Sequence, residues 1–286
     1  MKTNNFSDLI FPVEMIENRE FACNSNCAYD VFGYPQGVKT RLNTCSDRYN
    51  LVSNESVIVP MRNMLLDKAS GLKVKEEYQI INNAQFYGKY IIDVPNLKIG
   101  SNDDLKVIFG FNKSYNGLTP YELWGGLFRQ VCSNGLCVPY GEKNEYSLSI
   151  KGKHTEKLNS KLDELYERIH LFINNAPKII QPFIEMSGIS VPNYGDRIIE
   201  VLGANGIALV QNQKFSTLTN IKETVETEAS KLQIKPNDWI IYNAINQYIF
   251  DEDRVKVVPE IRRDSDQKVL NFMLKKKPSK TALALI

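Results

Sequence analysis

The pattern of apolar and polar positions changes near the middle of the chain. In the first half, β-prone runs alternate with turn residues, which predicts strands over 73–81, 85–94, 105–111, 123–132 and 146–151. Asn82, Asn83 and Ala84 separate the first two runs as a hairpin loop would. Two Asn-Gly pairs, at 116–117 and 134–135, are typical of the later turns. The first half is therefore predicted to form an antiparallel β-meander.

Helical periodicity begins at Thr155, the predicted N-cap of a long amphipathic helix. Its apolar stripe recurs at spacings of three and four residues and consists of Leu158, Leu162, Leu165, Ile169 and Phe172. Pro177 and Pro182 predict a bend or a second helix soon afterwards. The later pattern predicts helices over 195–202, 220–233, 237–250 and 266–275, a helix-ending turn over 203–206 and a strand over 255–258.

One short helix is predicted inside the strand-rich half, where Ser56 can act as the N-cap and Pro60 suits a first turn. The predicted fold class is therefore α+β, with the β-meander packed with a long helix and followed by a helix-rich second half. We expect a strand-rich portion over 1–153, a helical portion over 154–253 and a basic C-terminal segment over 254–286. These portions are predicted to form one continuous domain plus a tail.

The composition is that of a soluble globular protein, with 286 residues of which 43% are hydrophobic and 24% charged. No apolar run in the sequence approaches the roughly 18 residues that a membrane span needs. The first twenty residues interrupt every apolar run with a charged side chain, so a secretory signal is not recognisable. Five cysteines, an odd number, then favour reduced thiols and a cytoplasmic location.

Charge is distributed unevenly along the chain, although the net charge is only +2. Residues 254–286 carry nine Lys or Arg and three acidic residues, whereas the preceding residues carry 26 basic and 30 acidic ones. A basic segment of this kind can attract phosphates or an acidic partner surface through its electrostatic field. It can equally serve as a solvated tail that keeps the protein soluble.

Candidate catalytic chemistry centres on Cys132 and His154. A cysteine nucleophile needs a base, and His154 is the histidine nearest to Cys132 in sequence. Both residues also have structural explanations, because free cysteines behave as small hydrophobes and a histidine can simply stabilise a helix start. The spacing of the pairs Cys23/Cys27 and Cys132/Cys137 does not match zinc-finger patterns, and we expect neither a metal nor a cofactor.

Aromatic and basic residues interleave along the later strands of the meander. This mixture binds single-stranded nucleic acids, because bases stack on aromatic rings while Lys and Arg follow the phosphates. The candidate nucleic-acid-binding residues are Asn112, Lys113, Tyr115, Trp124, Arg129, Asn134, Lys151, Lys153 and His154. In the alternative interpretation, Phe109, Phe111 and Trp124 fill the core and the basic side chains only face water.

Motifs at three places in the chain resemble, in order, the signature of the phage and plasmid-like protein family catalogued as domain of unknown function 932. They are G-F-N-K-S-Y-N-G at 110–117, R-Q-V-C-S-N-G-L at 129–136, and His154-Thr155. Residues 49–54 and 238–248 are similar to an early and a late segment of that family, so the resemblance spans roughly residues 45 to 250.

Two positions depart from the family's pattern. Lys113 is inserted between Asn112 and Ser114, which are neighbours in the family, and Lys153 stands where the family has an arginine. Lysine keeps the positive charge of arginine but lacks its planar, two-pronged donor geometry.

The resemblance implies a phage or plasmid origin and a place in the host cytoplasm, but no reaction, since the family is named for lacking one. The order of a strand meander and a long helix also resembles phage single-strand annealing proteins, which bind DNA in a groove between hairpin and helix. We therefore expect a DNA-binding accessory of replication or recombination with single-stranded DNA as its partner and no membrane partner. Annealing activity and homo-oligomerisation are further options.

Two alternative functions stay open at the level of sequence. One is a hydrolase or transferase built on Cys132 and His154, and the other is an interaction protein that binds a host factor through its C-terminal segment. The chain shows no coherent set of nucleophile, base and orienting group, which favours a role other than catalysis.

Overall fold

The computed structural model describes residues 2–3, 5–18, 28–100, 102–129, 135–136, 149–152, 159–208, 216–251 and 259–275. The chain divides into two compact units that interleave along the sequence. The first, here called the sheet unit, comprises Met1–Val94, Val107–Gly126 and Tyr146–Asn175. The second, the helical unit, comprises Pro95–Lys106, Leu127–Glu145 and Ala176–Ile286.

The sheet unit contains an antiparallel meander of long strands. In chain order, the strands of the sheet unit that precede the meander are β1 (Lys2–Thr3), β2 (Val13–Glu17), β3 (Tyr29–Gly33) and β4 (Thr40–Cys45). The strands of the meander and its neighbours are β5 (Lys73–Ile81), β6 (Gln85–Asp93), β7 (Lys98–Ile99), β8 (Asp103–Ser114), β9 (Tyr121–Arg129), β10 (Gly135–Leu136) and β11 (Ser149–Gly152). The spatial order β1-β5-β6-β8-β9, with β11 also paired to β9, confirms the predicted meander.

The β5–β6 hairpin is the part of the meander that follows most directly from the sequence. Its loop is the predicted three-residue segment, in which Asn82 and Asn83 adopt φ angles of 50° and 54°. Asparagine tolerates this left-handed backbone region better than most residues with a side chain. The loop fixes the register, so that Ile81 pairs with Gln85 and Lys73 with Asp93.

A second, three-stranded sheet with the order β2-β3-β4 lies in the N-terminal part of the sheet unit. The sequence pattern did not predict it. Its strands have only five or six residues, and the register of β3 and β4 shifts between Val31 and Phe32. Such a bulge breaks the period of two on which strand prediction depends.

Helix α1 (Asn54–Lys68) lies where a short helix was predicted, but it begins earlier. Ser53 is the N-cap, and its hydroxyl oxygen accepts a hydrogen bond from the backbone N–H of Ser56 at 3.0 Å. The prediction that Ser56 caps the helix was therefore wrong, because Ser56 is the residue being capped. Pro60 lies inside the helix rather than in its first turn.

The inner face of the meander packs against α1 and against α2 (Asn159–Ile179). Four aromatic residues share this inner face and are at most 1% exposed: Phe86, Tyr90, Phe109 and Phe111. Tyr121 in β9 points its hydroxyl at the Met61 sulfur of α1, 3.8 Å away, and the Phe109 and Phe172 rings lie 5.6 Å apart. Ile169 and Phe172 are buried, which confirms the C-terminal part of the predicted apolar stripe of this helix. Thr155, the predicted N-cap of the helix, lies outside the described residues.

The helical unit is built mainly from α3 (Gln181–Ser187), α4 (Tyr194–Ala204), α5 (Thr217–Leu232), α6 (Asp238–Phe250) and α7 (Pro259–Lys275). Asn237, the first residue of the predicted helix over 237–250, is the N-cap of α6, and its side-chain oxygen accepts a hydrogen bond from Ile240 N–H at 3.0 Å. The predicted turn after α4 is also present, since Gly206 has a φ angle of 67°. The last helix begins at Pro259 instead of near Asp266, and residues 255–258 lie outside the described chain.

These elements confirm the α+β class, with antiparallel sheets in the first half and helices in the second. Among the described residues, no helix combines the length and apolar character needed to span a bilayer.

Candidate nucleic-acid interface

Six side chains on the outer face of the meander lie together and are at least partly open to solvent. We call them the outer-face patch, and they are Glu77, Gln79, Tyr87, Lys89, Asn112 and Trp124. Gln79 and Lys89 are exposed, and the other four are half-buried. The strand register brings them together, because Tyr87 pairs with Gln79 on one side and with Asn112 on the other.

The indole ring of Trp124 lies against the backbone of β8 at Gly110. A Cβ atom at Gly110 would lie 2.2 Å from Trp124 Cζ2, so any other residue there would push the ring away. Gly110 is also the first residue of the motif at 110–117 that carries the family resemblance. The glycine thus allows one face of a large aromatic ring to rest on the sheet while the ring stays half-exposed.

Hydrogen bonds hold two more patch side chains in place. The Tyr87 hydroxyl donates to Gln85 Oε1 at 3.1 Å, and Asn112 Nδ2 donates to Glu122 Oε2 at 3.2 Å. A ring and an amide that are already oriented lose little conformational freedom when a ligand binds. The patch is therefore a partly preorganised surface of two aromatic rings and polar groups.

The patch side chains line a recess of about 260 Å³. This is smaller than the roughly 300–1,000 Å³ typical of pockets for drug-sized molecules. The recess is thus suited to one flat ring at a time rather than to a whole cofactor. Its polar lining can pair with the edge of such a ring, because amides both donate and accept hydrogen bonds.

A larger groove of about 640 Å³ lies elsewhere in the sheet unit, near the 3₁₀ turns Phe6–Leu9 and Pro35–Gly37. Asp8 is the charged member of its lining as the structure describes it, and the lining includes Phe11, Tyr34 and Ile80. A groove with an acidic residue and without a basic one is poorly matched to a phosphate backbone.

Lys113 and Tyr115, which were predicted to contact nucleic acid, are buried. Lys113 is 1% exposed, and its Nζ donates to the Val52 carbonyl at 2.6 Å and to Asn54 Oδ1 at 2.9 Å. The Tyr115 hydroxyl accepts a hydrogen bond from Asn54 N–H at 2.7 Å, and its ring lies 4.3 Å from Lys113 Nζ. In this arrangement both side chains anchor the start of α1 rather than face a ligand.

Lys113 should make stability depend on pH. Burial lowers its pKa to about 7, from 10.5 for an exposed lysine. At a pH between these two pKa values, Lys113 is protonated in the unfolded chain and neutral in the folded protein. The free energy of unfolding should therefore rise with pH, by about 1.4 kcal/mol per pH unit at most. Urea unfolding of the protein and of Lys113→Met at pH 7, 8 and 9 should show this slope in the former only. Equal slopes would show that Lys113 is charged in the fold.

Arg129 lies in a buried ion-pair cluster of the helical unit. Its Nε lies 2.8 and 2.7 Å from the two Asp103 carboxylate oxygens, and its Nη1 lies 2.5 Å from Glu228 Oε2. The indole N–H of Trp239 donates to Asp103 Oδ2 at 2.7 Å. Burial raises the pKa of Asp103, and the Arg129 charge opposes that rise. Arg129 is 1% exposed, so its guanidinium links β8 and β9 to α5 and α6 within the helical unit. The prediction that Arg129 contacts a ligand was therefore wrong.

The remaining predicted residues divide into two groups. Asn134, Lys153, His154 and Cys132 lie outside the described residues, so the proposed Cys132/His154 pair stays a prediction. Lys151 lies on β11 opposite Glu122 of β9, and only its backbone is described. Of the nine predicted nucleic-acid contacts, the structure thus brings Asn112 and Trp124 together on an accessible surface.

Metal-binding chemistry finds no support in the described part of the chain, where no group of three or more His, Cys, Asp or Glu side chains converges. Cys45 is buried there as a free thiol, and burial raises its pKa, which makes it a poor nucleophile.

Four of the six patch residues were not among the predicted contacts: Glu77, Gln79, Tyr87 and Lys89. They belong to the first hairpin, far in sequence from the motifs that directed attention to residues 110–155. The sequence could have indicated this grouping, because the three-residue loop fixes the β5–β6 register and so places Tyr87 beside Gln79.

The chain is therefore an α+β protein in which a β-meander presents an aromatic and polar outer surface. Residues 41–272 match the family model described as Domain of unknown function (DUF932), and the protein belongs to that family. No curated protein and no solved structure matches the chain.

Proposed function

We propose that the protein binds single-stranded nucleic acid on the outer-face patch. The observation that carries the proposal is the pair of half-exposed rings, Tyr87 and Trp124, on strands β6 and β9 of one sheet face. Aromatic rings that lie accessible on a sheet are general stacking surfaces for bases, since every base has a π-face.

The spacing of the two rings favours a single strand over a duplex. One strand, β8, separates β6 from β9, so the two strands that carry the rings lie about 10 Å apart, given neighbouring-strand spacings of about 4.8 Å. Bases can reach both rings only if they are unstacked from each other and turned toward the sheet. A duplex keeps its bases paired and stacked, whereas a single strand can present them at modest cost.

Polar neighbours of the rings add support. Lys89 lies on the same strand as Tyr87, two residues away, and can meet a phosphate or a base oxygen. Gln79 and Asn112 flank Tyr87 on the adjacent strands and can pair with base edges. This is the combination of stacking and hydrogen bonding that single-strand binding surfaces use.

The biological setting that we propose is replication or recombination of a phage or plasmid in the host cytoplasm, with strand annealing as one activity that such binding would serve. The proposal rests on the resemblance of the motifs at 110–117 and 129–136 to phage and plasmid-like proteins. Membership of the DUF932 family agrees with the resemblance without naming an activity.

Fluorescence anisotropy with a labelled oligonucleotide tests the proposal. At low salt, we expect the protein to bind a single-stranded oligonucleotide at least tenfold more tightly than the corresponding duplex, because only the single strand can expose its bases. Equal binding to both forms would point to phosphate attraction alone. A lack of binding to either form would exclude the proposed function.

A further inference from the structure

The charges around the outer-face patch nearly cancel. Within the sheet unit, the acidic residues of this face that the structure describes are Glu77, Asp93 and Glu122, and the basic ones with described side chains are Lys73, Lys75 and Lys89. Lys75 forms an ion pair with Glu77 at 2.7 Å, so its charge is already compensated. Glu122 lies beneath Asn112 and is 3% exposed. The face therefore lacks the excess of positive charge that holds a phosphate backbone.

The outer-face patch consists mainly of aromatic rings and side-chain amides. Trp124 rests on Gly110 with its ring half-exposed, and Tyr87 is held by Gln85. Between the two rings lies Asn112, whose side chain can accept or donate a hydrogen bond. Each of these groups can contact a base, and none of them needs a charge on the backbone of the ligand.

On this basis, and resting on the proposed function, we infer that the patch recognises the nucleobases of a single strand and draws little affinity from its phosphates. The ligand class is a run of unpaired bases turned toward the sheet, with the sugar-phosphate backbone on the solvent side. Lys89 is the lysine of the outer-face patch, and its exposed side chain can meet a single phosphate.

This inference has a measurable consequence in salt dependence. A single-stranded ligand contributes a slope of about −0.7 in log K against log salt for each phosphate that is neutralised. One or two lysine contacts therefore predict a slope shallower than about −2, whereas a phosphate-tracking groove with six contacts predicts about −4. Base recognition also predicts that a ligand without backbone charge still binds, whereas a phosphate-tracking groove requires that charge.

The test compares a short single-stranded DNA oligonucleotide with its uncharged methylphosphonate counterpart of the same sequence. Binding can be followed by quenching of tryptophan fluorescence, because the chain has two tryptophans and Trp239 is fully buried, which leaves Trp124 as the accessible reporter. Trp124→Phe should remove most of the signal change while keeping an aromatic ring, which verifies the reporter. Lys89→Ala should make the salt slope of the DNA complex shallower by about 0.7.

We expect the uncharged ligand to bind within about tenfold of the DNA and the DNA slope to be shallower than about −2. A larger loss, or a steeper slope, would overturn base recognition and leave the proposed single-strand binding intact. If the native DNA oligonucleotide does not bind at low salt, the proposed function itself fails, and the inference fails with it.

Discussion

Arg129→Met should lower the free energy of unfolding by about 3–5 kcal/mol, because it leaves two carboxylates buried without their cation. Asp103 and Glu228 both contact the guanidinium, and their side chains are 3% and 5% exposed. Urea unfolding followed by tryptophan fluorescence measures the effect, since Trp239 donates to Asp103 inside the cluster. The loss should shrink as the pH falls from 7 to 5, because burial raises the pKa of Asp103, so this carboxyl takes up a proton in the folded state before it does in the unfolded chain.

Arg62→Met is the matched control for that substitution. Arg62 pairs with Glu76 through two hydrogen bonds of 2.7 and 2.8 Å, but the pair is 27% and 21% exposed. Partial exposure limits the expected loss to about 1 kcal/mol. Removing all three charges with Asp103→Asn, Arg129→Met and Glu228→Gln should recover much of the stability. A loss for Arg129→Met no larger than that for Arg62→Met would contradict the ion-pair assignment.

Trp124→Ala should weaken binding of single-stranded DNA by roughly 5- to 150-fold, since stacking of one base on one aromatic ring is worth about 1–3 kcal/mol. Tyr87→Ala should cause a loss in the same range. Because Trp124 is half-buried on the outer face rather than in the core, the fold should persist, and far-UV circular dichroism verifies this. Titration of a fluorescently labelled oligonucleotide measures the affinity.

Phe32→Ala provides a matched control for the aromatic substitutions. Phe32 is also half-buried, and Lys39 Nζ lies 4.5 Å from its ring, but it lies on β3 of the separate three-stranded sheet. Its removal should leave the affinity unchanged if binding depends on the outer-face patch. Equal losses for Phe32→Ala and Trp124→Ala would mean that the aromatic effect is not local.

Local patterns predicted much of the fold. The Asn82–Ala84 loop, the start of the helix at Asn237 and the turn after α4 each follow from the conformational preferences of a few adjacent residues. The three-stranded sheet could not be predicted in this way, because its bulge at Val31 breaks the alternation of short strands. The start of α1 was misplaced because two serines three residues apart compete for the cap.

The candidate site was harder to predict, because a residue's type does not show whether its side chain faces the core or the solvent. Alternation along β8 places Lys113 on the same side as Phe109 and Phe111, which indicates burial, but its charge suggested a surface contact. Arg129 is held by Glu228, 99 residues away in sequence, and no local pattern predicts that contact. Trp124 was a candidate nucleic-acid contact on composition, and the structure places it on the outer face, where the space for its ring depends on Gly110 in the neighbouring strand.

Photocrosslinking of a single-stranded oligonucleotide that carries 5-iododeoxyuridine tests the central claim most directly, because the halogenated base reacts with aromatic rings stacked on it. Peptide mapping by mass spectrometry should place the crosslinks at Trp124 or Tyr87, and Trp124→Ala should remove the first of them. Crosslinks that map only to residues away from β6 and β9, with none on the outer-face patch, would contradict the account.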